Sequence, residues 1–95
     1  MTILTYTLEG CDYCATLLAN LEARGISCVN IDADKHPDLA DMAELQTNTT
    51  YYPIVQLMNG STNLYFATGI EGNVPENVIE YMSIDHLTHL IETYI

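Results

Sequence analysis

Basic residues are almost missing from this sequence. Only Lys35 and Arg24 stand against thirteen Asp and Glu residues, which gives a formal net charge of −11. The phosphates of nucleic acids and the anionic headgroups of membranes are bound mainly by Lys and Arg. The composition therefore predicts a protein that binds neither nucleic acid nor a membrane surface. The acidity itself fits two roles, namely solubility and the electrostatic attraction of a basic partner.

Long apolar runs and tryptophan are lacking as well. No segment approaches the ~18 consecutive apolar residues of a transmembrane helix. Residues 1–6 have neither the basic flank nor the small-residue cleavage site of a secretory signal, so we expect a cytoplasmic location. The seven Tyr residues are not accompanied by basic residues, and they do not predict a base-stacking platform. The length of 95 residues predicts one domain spanning residues 1–95.

Cysteine is scarce, with Cys11, Cys14 and Cys28 as its only occurrences. An odd number of cysteines in a cytoplasmic protein argues against a framework of structural disulfides. The first two belong to the stretch Gly10-Cys11-Asp12-Tyr13-Cys14. A Cys-x-x-Cys spacing of this kind is typical of either a redox pair or part of a metal site.

The spacing of apolar residues predicts elements in the order β-α-β-α-β-β-α. Strands are predicted at 3–8, 26–31, 54–58 and 62–67, and helices at 11–24, 37–46 and from 84 onward. Asn59-Gly60 predicts a type I′ hairpin turn. A stripe of Leu39, Met42 and Ala43 predicts the buried side of the second helix. Residues 74–82 fit a short helix as well as a strand. The pattern as a whole indicates an α/β fold with one mixed sheet.

This order of elements and three local features resemble the thioredoxin fold, and glutaredoxins in particular. The features are Cys11-Asp12-Tyr13-Cys14 at the start of the first helix, Tyr52-Pro53 before the third strand, and the Asn59-Gly60 hairpin. The resemblance implies a four-stranded mixed sheet flanked by helices. It also implies a thiol–disulfide oxidoreductase, a dithiol electron carrier that reduces protein disulfides or glutathione mixed disulfides and serves electron transport and cell redox homeostasis.

Within this resemblance we expect Cys11 to be the catalytic nucleophile and Cys14 the resolving thiol. A helix N-terminus presents free N–H groups and the positive end of the helix dipole, and both favour a thiolate at Cys11. Cys14 lies one turn further along the same side, where it can attack the mixed disulfide. Asp12 replaces the proline of the glutaredoxin motif Cys-Pro-Tyr-Cys. Its carboxylate is expected to raise the pKa of Cys11 relative to a proline at this position, and Asp12 is expected to lie at the substrate.

Aromatic residues around a proline are the next expected contacts of the substrate. Tyr13 occupies the aromatic position of the glutaredoxin motif. Pro53 corresponds to the family's cis-proline, which faces the active cysteine; the alternative is that Pro53 only begins a strand. Tyr51 and Tyr52 would form a wall around the substrate disulfide, unless one of them packs in the core.

Glutathione recognition is expected at Gly69 and Glu71. They lie in segment 68–73, where glutaredoxins have a Gly-Gly turn and an acid that bind the α-amino group. Residues 1–10 contain no Lys or Arg, although glutaredoxins place a basic residue just before the motif. We expect no bound cofactor, no metal ligands and a monomeric protein. Its partners would be a disulfide-containing protein substrate and a reductant, either glutathione or a reductase.

Two other functions stay open from the sequence. A metal or iron–sulfur site would need ligands beyond Cys11 and Cys14, but Cys28 is predicted to be a buried structural thiol within the second strand. His86 and His89 are three positions apart on a helix, which is weak spacing for a metal site. The other function is that of an acidic, thioredoxin-like interaction module whose cysteines are incidental.

Overall fold

The computed structural model describes residues 1–95, which form five strands and three helices. The strands are β1 (Thr2–Thr7), β2 (Val29–Asp32), β3 (Ile54–Asn59), β4 (Thr62–Ala67) and β5 (Val78–Glu80). The helices are α1 (Asp12–Ala23), α2 (Pro37–Thr47) and α3 (Ile84–Tyr94). None of the three helices combines the length and the apolar character that crossing a membrane requires.

The five strands form one mixed sheet in the order β2-β1-β3-β4-β5. β1 runs parallel to β2, and β4 runs parallel to β5, whereas β3 is antiparallel to both of its neighbours. The predicted α/β thioredoxin-like architecture is thereby confirmed, but the expected number of four strands is wrong. The fifth strand is β5, whose Val78 and Ile79 pair with Tyr65 and Phe66 of β4. Its three residues are too few to show the alternation by which a strand is recognised in a sequence.

Helices cover both faces of this sheet. On one face, α1 and α3 enclose a core built around Leu17, Leu21, Phe66, Leu87 and Ile91. On the other face, α2 packs over a second cluster that draws its larger side chains from the strands. The redox motif lies at the start of α1, so the first of these layers fixes its position relative to the sheet.

The buried side of α2 differs from the prediction. Of the three residues expected to face the core, Ala43 is buried, but Leu39 and Met42 are 41% and 63% exposed. The buried residues of α2 are small: Ala40, Ala43 and Thr47. The aromatic side chains of Tyr6 and Tyr65 rise from the sheet into the same cluster. Because they already fill this layer, the helix contributes small residues there.

Two boundaries are also corrected. The hairpin pairs Asn59 with Thr62, so its turn is formed by Gly60 and Ser61 rather than by Asn59 and Gly60. Of these residues only Gly60 has a positive φ, of 65°, whereas a type I′ turn requires a positive φ at both central positions. The second strand begins at Val29, three residues later than predicted.

Candidate active site

Cys11 and Cys14 are joined by a disulfide at the N-terminus of α1. The turn after β1 ends in Gly10, whose φ of 77° is readily adopted only by glycine. Cys11 is the N-cap residue, and its Sγ accepts a hydrogen bond of 3.1 Å from the backbone N–H of Cys14. Cys14 is 2% exposed, whereas Cys11 is only half-buried. The pair therefore offers one accessible sulfur at the positive end of a helix and keeps the other inside.

Pro53 lies in a buried position at the start of β3, and the Tyr52–Pro53 peptide bond is cis. The carbonyl of Pro53 accepts a hydrogen bond of 2.7 Å from the hydroxyl of Tyr81. Burial raises the pKa of Tyr81 well above its ordinary value, so this hydroxyl stays a donor. Sequence reasoning missed Tyr81, because it lies in the ambiguous segment 74–82 and its hydrogen bond joins residues distant along the chain.

Tyr52 packs in the core, which is one of the two roles that the sequence left open. Its ring packs against the core cluster beneath α2, and its hydroxyl donates a hydrogen bond to the carboxylate of Glu44. Burial raises the pKa of Tyr52, and the hydrogen bond to Glu44 and the charges of Glu44, Asp41 and Asp34 raise it further. The Tyr52 side chain thus lies within the negative field of α2 and the turn before it.

The structure brings Gly69 and Glu71 next to Tyr51 of the proline loop, which is the segment 48–53 between α2 and β3. The ring of Tyr51 lies so close to Gly69 that a Cβ on that glycine would overlap it. The Thr49 hydroxyl donates a hydrogen bond of 2.6 Å to the carbonyl of Thr68, and the backbone N–H of Glu71 donates one of 2.9 Å to the carbonyl of Asn48. The segment before Pro53 and the segment after β4 are therefore held as one surface.

A cleft of about 520 Å³ opens where α1, the proline loop and the start of α3 meet. It is lined by Tyr13, Thr16, Tyr52, Thr68, Tyr81, Met82, Ser83, Ile84 and Asp85. Of the expected contact residues, Tyr13 and Tyr52 line this cleft, and Asp12 is an exposed neighbour of Tyr13. Glu71 instead lines a separate depression of about 560 Å³ together with Asp41 and Glu44. The other expected substrate residues, Asp12, Tyr51, Pro53 and Gly69, line neither cavity.

Cys28 lies at the other end of the sheet from the disulfide. Leu4 is paired with Val29, so Cys28 is next to the first half of β1, whereas Cys11 follows the end of that strand. It precedes β2 and is half-buried, so the prediction of a buried mid-strand thiol is wrong. No three His, Cys, Asp or Glu side chains are grouped closely enough to hold a metal ion. In the first turn of α3, Nδ1 of His86 accepts a hydrogen bond of 2.8 Å from the backbone N–H of Met82.

Comparison with known proteins finds likeness in structure only. No protein-family model and no curated protein matches the chain. Among solved structures, the chain is similar to NrdH-redoxin from Escherichia coli, a glutaredoxin-like protein described as having a thioredoxin-like activity profile. The two are 27% identical with a TM-score of 0.56, and the match covers 66% of this chain and 79% of that one. A malarial protein is 16% identical over 100% of this chain and 99% of its own, also with a TM-score of 0.56, and this likeness shows the fold alone.

The fold and the site define a thioredoxin-like protein with a Cys-x-x-Cys disulfide at the start of its first helix. Together with the likeness to NrdH-redoxin, they place this chain in the glutaredoxin/thioredoxin-like superfamily. They support a redox activity of the thiol–disulfide type.

Proposed function

We propose that this protein is a dithiol electron carrier that reduces disulfides in proteins or in glutathione adducts. The observation that carries this proposal is the Cys11–Cys14 disulfide at the N-cap of α1, with an accessible first sulfur and a buried second one. An accessible sulfur at a helix N-terminus suits the nucleophile, because the free N–H groups and the dipole stabilise a thiolate. A buried neighbour suits the resolving thiol, because it meets only the mixed disulfide formed beside it.

The reaction begins with the reduced protein and the thiolate of Cys11. This thiolate attacks one sulfur of the substrate disulfide, so that the substrate S–S bond breaks and a mixed disulfide forms. The leaving sulfur departs as a thiolate and takes a proton from water. Cys14 then loses its proton to solvent and attacks the Sγ of Cys11, which forms the internal disulfide and releases the second substrate sulfur. Two electrons have passed from the protein to the substrate, and glutathione or a dithiol reductase returns them.

Both the cleft and the proline loop support a substrate at this position. Tyr13, which lies between the two cysteines in the sequence, and Tyr52, which precedes Pro53, both line the cleft. Tyr81 also lines it, and its hydroxyl holds the carbonyl of Pro53. NrdH-redoxin, with its thioredoxin-like activity profile, is the related precedent for disulfide reduction on a glutaredoxin-like fold.

A redox titration of the purified protein against glutathione buffers tests this proposal. Free thiols are alkylated at each potential and counted for every cysteine by mass spectrometry. We expect Cys11 and Cys14 to titrate together in one two-electron step, while Cys28 stays reduced throughout and serves as the internal control. If neither Cys11 nor Cys14 responds, or if both resist alkylation until a chelator is added, the redox proposal is wrong.

A further inference from the structure

The cleft lined by Tyr13, Tyr52 and Asp85 has an unusual balance of charge. Its nine lining residues include Asp85 but no Lys, Arg or His. Asp12, an exposed residue in the first turn of α1, directly precedes Tyr13 of this lining. A bound group with negative charge would therefore meet like charge and no cation to offset it.

The few cations of the chain lie away from this cleft. Arg24 follows the far end of α1, where its Nε lies 3.1 Å from a carboxylate oxygen of Glu92. Lys35 lies in the turn after β2, between Asp34 and the start of α2, and does not line the cleft. The N-terminal residue Met1 lines a pocket beside Cys28. None of these groups therefore offers a carboxylate of the substrate a partner within the cleft.

The apolar part of the cleft suits long side chains that carry positive charge. Tyr13 and Met82 are 69% and 76% exposed, and Tyr52 and the largely buried Tyr81 also line the cleft. Lys and Arg side chains pack their carbon stems on such surfaces, and their charged ends are attracted both by the faces of aromatic rings and by carboxylates. Asp85, in the first turn of α3, supplies a carboxylate within the same cleft.

From this arrangement we propose that the cleft selects protein disulfides whose flanking residues are Lys or Arg and disfavours glutathione disulfide. The proposal rests on the redox function proposed above and names its substrate class. Glutathione carries more carboxylates than ammonium groups, so it opposes the charge of Asp12 and Asp85. A basic segment of a protein complements that charge, and the remaining acidity of the molecule attracts it from a distance.

Single-turnover reduction of charged peptides tests the selection. The protein is first reduced and freed of reductant, so that its own dithiol is the only electron source. It is then mixed with disulfide-linked peptides that are identical except for Lys, Gln or Glu beside the cysteine, or with glutathione disulfide. The loss of thiols at Cys11 and Cys14 is followed by acid quenching and mass spectrometry. We expect the Lys peptide to react about tenfold or more faster than the Glu peptide at low salt, and faster than glutathione disulfide. Added salt should reduce the difference in rate between the Lys and Glu peptides.

Two variants locate the effect. Asp85→Asn should reduce the Lys-to-Glu rate ratio severalfold. Glu22→Gln also removes one negative charge, but it does so at the far end of α1, so it should leave the ratio unchanged. Equal rates for the three peptides, a preference for glutathione disulfide, or the same ratio in both variants would overturn the selection while leaving the redox function intact. If not even the Gln peptide consumes protein thiols, the proposed redox function itself has failed.

Discussion

The two ends of strand β1 place cysteines in opposite surroundings. Beyond the C-terminal end, Cys11 caps a helix and shares a disulfide with Cys14, and Tyr13 between them lines an open cleft. Beside the N-terminal half, Cys28 precedes a strand, and its sulfur accepts a hydrogen bond of 3.8 Å from the hydroxyl of Thr5. The first cysteine faces free backbone N–H groups of a helix, and the other has no helix terminus beside it.

This difference shows that the position of a cysteine in the fold decides its chemistry. Cys11 and Cys28 are both half-buried, so exposure alone does not distinguish them. What distinguishes them is the helix N-terminus and a second thiol within reach, which together allow a thiolate to form and a mixed disulfide to be resolved. Cys28 has neither of these; the hydroxyls of Thr5 and Thr7, further along β1, both donate hydrogen bonds of 2.9 Å to the side-chain carbonyl of Asn30.

The largest effect is expected when Cys11 and Cys28 are each replaced by serine in separate variants. Cys11→Ser should reduce disulfide turnover to the background rate, because a serine hydroxyl does not attack a disulfide at neutral pH. Cys28→Ser should retain turnover within about twofold, since its cost is confined to a small change in stability. Reduction of a neutral peptide disulfide, with dithiothreitol as reductant, measures both. Equal losses in the two variants would show that the ends of β1 are not functionally distinct.

A smaller effect is expected at the hydrogen bond that holds the proline loop. Tyr81→Phe removes the donor to the buried carbonyl of Pro53, and an unpaired buried carbonyl costs about 1–3 kcal/mol. Tyr65→Phe is the matched control, because Tyr65 is also buried but its hydroxyl makes no hydrogen bond within the protein. Urea unfolding of the reduced variants gives both free energies. We expect Tyr65→Phe to stay within about 0.5 kcal/mol of the parent, and similar losses in both variants would contradict a special role for the Tyr81 bond.

The reactive end could be predicted from the sequence because its signals are local. The Cys-x-x-Cys spacing, the apolar positions Leu17 and Leu21, and Gly10 before the helix all act within one turn or one helix face. The cap of α3 is also a local signal, since Ser83 directly precedes the helix and its side chain accepts a hydrogen bond of 3.1 Å from the backbone N–H of His86.

The features that could not be predicted depend on distant partners. β5 is a strand only because it pairs with the free edge of β4. The side of α2 that faces the sheet is decided by Tyr6 and Tyr65 beneath it. The part played by Tyr81 depends on Pro53, which lies 28 positions away along the chain. Neither periodicity nor spacing contains information of this kind, because each describes only neighbours in the sequence.

The smallest effect is expected on the alkylation rate of Cys11, measured relative to the rate of Cys28 in the same molecule. Asp12 places a carboxylate next to Cys11 in the first turn of α1, and like charge disfavours the thiolate. Asp12→Asn removes the charge alone, whereas Asp12→Pro also restores the residue of the glutaredoxin motif at a helical position that accepts proline. In the reduced protein at neutral pH, both variants should raise the rate of Cys11 alkylation by iodoacetamide about two- to fivefold. The rate at Cys28 in the same sample is the reference, and it should not change. An unchanged Cys11-to-Cys28 ratio would mean that the helix N-terminus fully offsets the neighbouring carboxylate, while a rise in Asp12→Pro alone would assign the effect to the backbone rather than to charge.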